Sequence, residues 1–265
     1  MALDLDGTII DLDQSGPHIK LILDPRDVEG LARAMAAGIT VIPCTGRPFP
    51  GALPWAKRIG VDGPIVCYQG AEIRNQDGTF ALDHGIGHDL AMEVIRFARE
   101  GGLHVQAYRD DRLLVEKDRP EAHEYAEHAG MEINLVPDLD AAMGATTPKL
   151  VIVAKAERLD VLLPETRHRW AGKLTIATST PTYLEFTAAN ADKATALEFL
   201  CGQLGIARDQ TVAVGDGRND ASMLAWAGLG VAIEGSEPEV LAAADRTVPG
   251  PGRGGIAQLI GELLD

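Results

Sequence analysis

Short apolar runs that stop at a glycine or an acidic residue recur along the chain. They cover residues 2–3 before Asp4, 39–42 before Thr45-Gly46, 65–67 before Gly70 and 211–214 before Gly215-Asp216. Runs of this kind, apolar on both faces, are the pattern of buried strands in a parallel sheet. Between them the spacing becomes helical. Val28, Leu31, Ala32 and Met35 recur at i, i+3, i+4 and i+7, and Leu197, Leu200, Cys201 and Leu204 do the same. Strands alternating with helices predict βαβ units and an α/β fold with a doubly wound parallel sheet.

The middle of the chain has a different rhythm. Leu90, Val94 and Phe97 mark a helix. Residues 105–108 and 113–116 read as strands around a polar turn, and 121–129 as a polar helix. A strand at 150–154 precedes a helix over 157–170 that Pro164 is expected to break. Strands at 173–178 and 183–186 follow, joined through 179–181. This mixture predicts a separate α+β unit over 85–187, inserted into a core formed by 1–84 and 188–265. The expected crossings are Gly85-Ile86-Gly87 and residues 187–190. No internal repeat or low-complexity tract is present.

Composition narrows the function classes. The 265 residues are 46% hydrophobic and 24% charged, which supplies a core and excludes a disordered chain. The length suits one large domain or two unequal ones. The formal net charge of −15 argues against nucleic acid and against an anionic membrane surface. A small anionic substrate is not excluded, because it feels the local pocket more than the global field. No apolar run is long enough to span a membrane, and Met1–Asp6 shows no signal-peptide pattern. Cys44, Cys67 and Cys201 are odd in number and sit in apolar surroundings, the usage of reduced thiols in a cytoplasmic protein.

Asp4-Leu5-Asp6-Gly7-Thr8 is the strongest chemical signal. Two carboxylates at i and i+2 share one side of an extended segment, and Gly7 allows a sharp turn. They fall at the end of a strand, where open α/β sheets place ligands. Carboxylates this close need a cation, or one must hold a proton. Either state serves phosphoryl transfer, with one carboxylate attacking phosphorus and the other handling the leaving-group proton. Asp11-Leu12-Asp13 repeats the tripeptide but runs into Gln14-Ser15-Gly16-Pro17, and reads as a solvated turn.

Gly215-Asp216-Gly217-Arg218-Asn219-Asp220 lies between a strand and a helix expected at 221–227. Asp216 suits a hard cation with oxygen ligands, and Asn219 and Asp220 sit on an opening helical turn. Asp220 stands where a dinucleotide fingerprint needs its last glycine, so a Rossmann site is a weak reading. Thr45-Gly46-Arg47 can cradle phosphate oxygens after a strand, although the tripeptide is also a common turn. Lys193, ahead of the 197–204 stripe, can bind phosphate and offset the aspartates. Taken alone it reads as an exposed lysine.

Together these residues resemble the haloacid dehalogenase superfamily of phosphatases. The order is the family's: Asp-x-Asp-Gly-Thr at 4–8, Thr45, Lys193, then Gly-Asp-x-x-Asn-Asp at 215–220. The long interval between Thr45 and Lys193 is where the Cof-like subclass carries its type IIB α+β cap. GDGRNDASML over 215–224 and Gly70-Ala71-Glu72-Ile73 are also similar to that subclass. The resemblance implies Mg²⁺ and a small phosphorylated metabolite. It implies Asp4 as nucleophile and Asp6 as general acid and base with its main-chain carbonyl on the metal. Asp216 becomes the third protein ligand to the metal. Thr45, Gly46, Lys193 and Asn219 would hold the phosphoryl group, with Arg47 and Asp220 supporting. Three positions depart from the pattern: a short first strand, Gln69 where the family commonly has Asn, and Ala194 where a glycine usually follows the lysine.

A phosphomutase of the same superfamily is one alternative. A receiver-type module that accepts a phosphoryl group without turnover is another, and Asp6 argues against it, because it can activate water. Other signals are discounted. His84 and His88 have the spacing of a helical metal pair, but Gly85 and Gly87 oppose a helix there. His123 and His128 do not share a helical face. Residues 250–255 lack the Gly-Lys-Ser/Thr of a Walker loop and read as a loop before the last helix. Trp55, Trp170 and Trp226 read as packing residues. Arg109, Asp111, Arg112 and Tyr183 are loose candidates for specificity.

Overall fold

A computed structural model describes residues 1–13 and 20–265; residues 14–19, among them Gln14, Ser15, Gly16 and Pro17, and the side chains of Leu12, Asp13, Lys20, His128, Ser179 and Thr180 lie outside that set. The described chain forms two compact units. One comprises Met1–Gly46, Ala52–Ala81 and Asp192–Asp265, the other Arg47–Gly51 and Leu82–Ala191.

A five-stranded parallel sheet organises the first unit. Its order is Arg246–Val248, Leu229–Ile233, Val212–Gly215, Ala2–Leu3 and Ile42–Pro43. Ala2–Leu3 is therefore an inner strand although only two residues long. Its neighbours pair Leu3 with Val214 and with Pro43. Ala2, Leu3, Ala213, Val214, Val231 and Ala232 are all buried, as strands covered on both faces must be. The strands end together at Asp4, Cys44 and Gly215. The fold class is thus α/β with a parallel central sheet.

Several expected bounds shift for local reasons. The strand expected at 39–42 runs Ile42–Pro43, because the Ile39 N–H still bonds the Ala34 carbonyl and closes the preceding helix. Asp11-Leu12-Asp13 is not a turn. It belongs to the strand Ile10–Asp13, which pairs antiparallel with Lys20–Leu23. In sequence, Ile10-Asp11-Leu12-Asp13 alternates apolar and polar residues, the period-two pattern of a strand. Helices at Phe49–Arg58 and Pro238–Ala243 had no clear periodicity in the sequence.

A six-stranded sheet dominates the second unit, in the order Ile133–Leu135, Arg112–Val115, His104–Arg109, Leu150–Val153, Tyr183–Ala188 and Leu174–Thr180. All its pairs are antiparallel except that between the first two strands. Val105, Ala107, Leu150, Ile152, Leu184 and Phe186 bury one face with the helices His88–Glu100 and Ala156–Arg169. Pro164 does not break the second helix. It lies on the exposed side, where the carbonyl that loses its N–H partner can face solvent. On the inner side the Thr166 hydroxyl donates to the Leu162 carbonyl at 2.8 Å.

Two of the discounted histidines, and Tyr183 among the candidates for specificity, have ordinary partners. His88 Nε2 lies 3.1 Å from Asp140, and His123 pairs with Asp118 at 2.6 Å. Trp55 and Trp170 are buried in packing. Tyr183 stacks edge-on to Tyr125, with ring centres 5.0 Å apart. Residues 250–253 lead through Gly254 into the helix Gly255–Leu264. Among the described residues no helix is long and apolar enough to cross a membrane.

Candidate active site

The site forms where the parallel strands stop. Asp4 follows Leu3 directly, and its N–H still bonds the Val214 carbonyl at 3.0 Å, so the sheet fixes its backbone. The chain then turns sharply. The N–H groups of Ile9 and Ile10 both reach back to the Leu5 carbonyl. Gly7 makes this turn at φ 78, and a Cβ there would stand 2.2 Å from Asp216 Oδ2. Only glycine permits that approach. Thr8, 1% exposed, turns inward and donates its hydroxyl to Asp216 Oδ1 at 2.8 Å.

Lys193 opens the helix Lys193–Leu204, which Asp192 caps by accepting the Thr195 N–H. Its side chain is fully buried, not exposed. Nζ donates to Asp4 Oδ1 at 2.6 Å and to Asp220 Oδ1. The other oxygen of Asp220 accepts the N–H groups of Asp216 at 3.0 Å and Gly217 at 2.9 Å. Asp220 therefore ties Lys193 to the loop that carries Asp216.

Asp4, Asp216 and Asp220 each place a carboxylate oxygen within 4.8 Å of the others, the one such three-residue group among the described residues. One lysine cannot neutralise three carboxylates. Burial, then the charge of Asp220, pushes the Asp4 carboxyl well above the usual range, with Lys193 opposing. Burial and Asp220 likewise push Asp216 up to about 6. Burial works against the Lys193 ammonium, but the charges of Asp220 and Asp4 outweigh it and the net push is up. The excess negative charge and all-oxygen donor set fit a hard divalent cation. Asp220 has both oxygens engaged, which leaves Asp4 and Asp216 as the carboxylates able to take it.

Asp6 is partly buried in the turn, outside the three-carboxylate group, and its charge acts on Asp216. Thr45 is buried, with its N–H on the Val66 carbonyl. Gly46 follows it, and Arg47 falls in the second unit. Asn219 donates from Nδ2 to Gln69 Oε1 at 2.8 Å. Sequence reasoning gave no role to Thr8 and treated Gln69 only as a departure. Thr8 was readable, since it completes the Asp-x-Asp-Gly-Thr run. Gln69 was not, since its partner is distant in the chain.

A model of the haloacid dehalogenase-like hydrolases matches residues 1–260, and the chain belongs to that family. Among solved structures, a haloacid dehalogenase-like hydrolase from Bacteroides thetaiotaomicron is similar with a TM-score of 0.87 at 28% identity, over 99% of this chain and 98% of that one. Among curated proteins, “Putative phosphatase YxeH” of Bacillus subtilis (strain 168) is 26% identical, covering 100% of this chain and 97% of its own. The 5-amino-6-(5-phospho-D-ribitylamino)uracil phosphatase YitU of the same organism is 25% identical with the same coverage. The family is one of phosphatase-type hydrolases, and the chain shares its fold throughout.

Proposed function

We propose that this protein is a Mg²⁺-dependent phosphatase that hydrolyses phosphate monoesters of small metabolites through an aspartyl-phosphate. The observation that carries the reading is the Asp4–Lys193 contact of 2.6 Å beside Asp216 at the end of the parallel sheet. Asp4 and Asp216 would hold the metal through carboxylates and Asp6 through its main-chain carbonyl. Bound there, Mg²⁺ would offset the charge on the phosphoryl oxygens and keep Asp4 ionised.

The chain's own groups then divide the work. An Asp4 oxygen attacks phosphorus in line, and the bond to the leaving oxygen breaks. Asp6 gives its proton to that oxygen, releasing the alcohol. Asp6 next takes a proton from water, whose oxygen attacks the same phosphorus and frees Asp4 and inorganic phosphate. Lys193, Thr45, Gly46 and Asn219 bind the phosphoryl oxygens, and Asp220 and Arg47 support them. The inserted unit would act as a cap that gates entry and excludes bulk water. The name of YitU, a phosphatase of a phosphorylated ribityl compound, supports a small phosphorylated metabolite as the substrate class. Three buried free thiols support a reducing, cytoplasmic setting.

Phosphate release from a broad panel of phosphorylated metabolites, with and without Mg²⁺, tests the reading. Asp4→Asn is the control. Metal-dependent release that vanishes in the variant is expected. Metal-independent release, or release retained by Asp4→Asn, overturns it.

A further inference from the structure

The turn Tyr68–Gly70 has no part in the chemistry above, yet its backbone is the most unusual in the first unit. Tyr68 at φ 50 and Gln69 at φ 63 precede Gly70 at φ 102, three successive left-handed residues. Side chains other than glycine rarely adopt this conformation, and its persistence requires surroundings that hold it. Three contacts do so. The Gln69 N–H donates to the Thr45 carbonyl at 3.1 Å. Gly70 lies so close to the Asp192 carbonyl that a Cβ there would stand 2.2 Å from its oxygen. The Gln69 carboxamide accepts from Asn219 Nδ2 at 2.8 Å, and its Nε2 end lies against Gly46, where a Cβ would come within 2.4 Å.

One strained turn therefore touches the three segments that carry the phosphate-binding groups: Thr45-Gly46, the start of the Lys193 helix, and Asn219. Resting on the phosphatase reading above, we propose that Gln69 is a positioning residue that registers Asn219 against the Thr45-Gly46 loop. The Asn219 carboxamide has two N–H donors. Gln69 occupies one and thereby aims the other. Donors fixed before the phosphoryl group arrives need no reorganisation when it binds. The side-chain length matters, because the carboxamide must reach Asn219 while its nitrogen rests on Gly46. Asparagine, shorter by one methylene, does not span both.

The test is a double-mutant cycle on the full chain with saturating Mg²⁺. Wild type, Gln69→Met, Asn219→Ala and the double variant are compared. Binding of inorganic phosphate is measured by calorimetry, and KM and kcat by phosphate release. Gln69→Met keeps the length but loses both polar ends. It is expected to weaken phosphate binding about 5–10-fold and to raise KM more than it lowers kcat. Asn219→Ala should do the same, and the double variant should bind no more weakly than Asn219→Ala alone. Gln69→Asn, a second variant that keeps the amide, should match Gln69→Met. Additive losses, or wild-type phosphate affinity in either Gln69 variant, overturn the proposal. The two readings fail separately. A wild-type protein that releases no phosphate from any substrate, yet shows the coupled binding losses, sinks the phosphatase and leaves Gln69 in place. Normal turnover with additive losses sinks only the role of Gln69.

Discussion

The Thr8 hydroxyl donates to Asp216 Oδ1 at 2.8 Å although 208 positions separate the two residues. The bond joins the turn after the first strand to the loop after Val212–Gly215. It also stabilises the ionised form of a carboxylate that burial pushes the other way. Thr8→Val keeps the shape and removes the donor. A hydrogen bond to a charged group is worth about 1.5–3 kcal/mol, so the variant should need roughly tenfold more Mg²⁺ for half-maximal activity. Titration of activity with Mg²⁺ checks this, and an unchanged midpoint would falsify it.

The raised Asp216 group gives a pH signature. Its carboxyl moves from 3.8 to about 6 in the folded protein, chiefly by burial. The native state then holds this proton more tightly than the unfolded chain. The stability contribution is largest below the unfolded value, falls as pH rises between about 4 and 6, and is level above. The loss amounts to about 2–3 kcal/mol at most. Thermal unfolding in chelator should show wild type losing stability across this window relative to Asp216→Asn. Added Mg²⁺ should stabilise wild type more at about pH 7.5 than at about pH 5. Parallel curves for the two proteins would remove Asp216 as the cause.

Asp4 and Asp216 were legible as chemistry because each ends a short apolar run, and a run of that kind is the sequence image of a buried parallel strand. Lys193 was harder. Read alone it resembles any surface lysine, yet Lys193, Ala196, Leu197 and Leu200 fall at i, i+3, i+4 and i+7 and are all buried. Its place on the apolar stripe was the available signal. The hairpin of Ile10–Asp13 was obscured because the segment leading to its partner strand has no apolar pattern. The Gln69–Asn219 bond left no local trace, because it depends on how two loops from different βα units meet.

Lys193 should be indispensable to both stability and activity. It is the buried cation between the buried carboxylates of Asp4 and Asp220. Lys193→Met strands two buried carboxylates, which costs about 3–5 kcal/mol. The variant should be inactive and should melt well below wild type near neutral pH. Lowering the pH should narrow the gap, because the carboxylates can then take protons. Lys193→Arg should not restore turnover, since a planar fork does not replace a compact ammonium. A Lys193→Met protein as stable as wild type near neutral pH would show that the pair is solvated.

Gly7 offers the sharpest steric prediction. Gly7 and Gly38 have similar left-handed backbones, at φ 78 and φ 88. A Cβ at Gly38 meets nothing within 4 Å, whereas one at Gly7 collides with the Asp216 carboxylate. Gly38→Ala therefore bears only the backbone penalty of about 1–2 kcal/mol and should keep full activity. Gly7→Ala bears the same penalty and must also displace Asp216 or open the turn that holds Asp6 and Thr8. Its activity should fall at least a hundredfold, with a large rise in the Mg²⁺ requirement, since a shift of about 1 Å at such a site has that cost. Melting temperatures, Mg²⁺ titrations and rates for the two variants separate the effects. Equal losses of activity in both would mean that the approach of Gly7 to Asp216 does not shape the site.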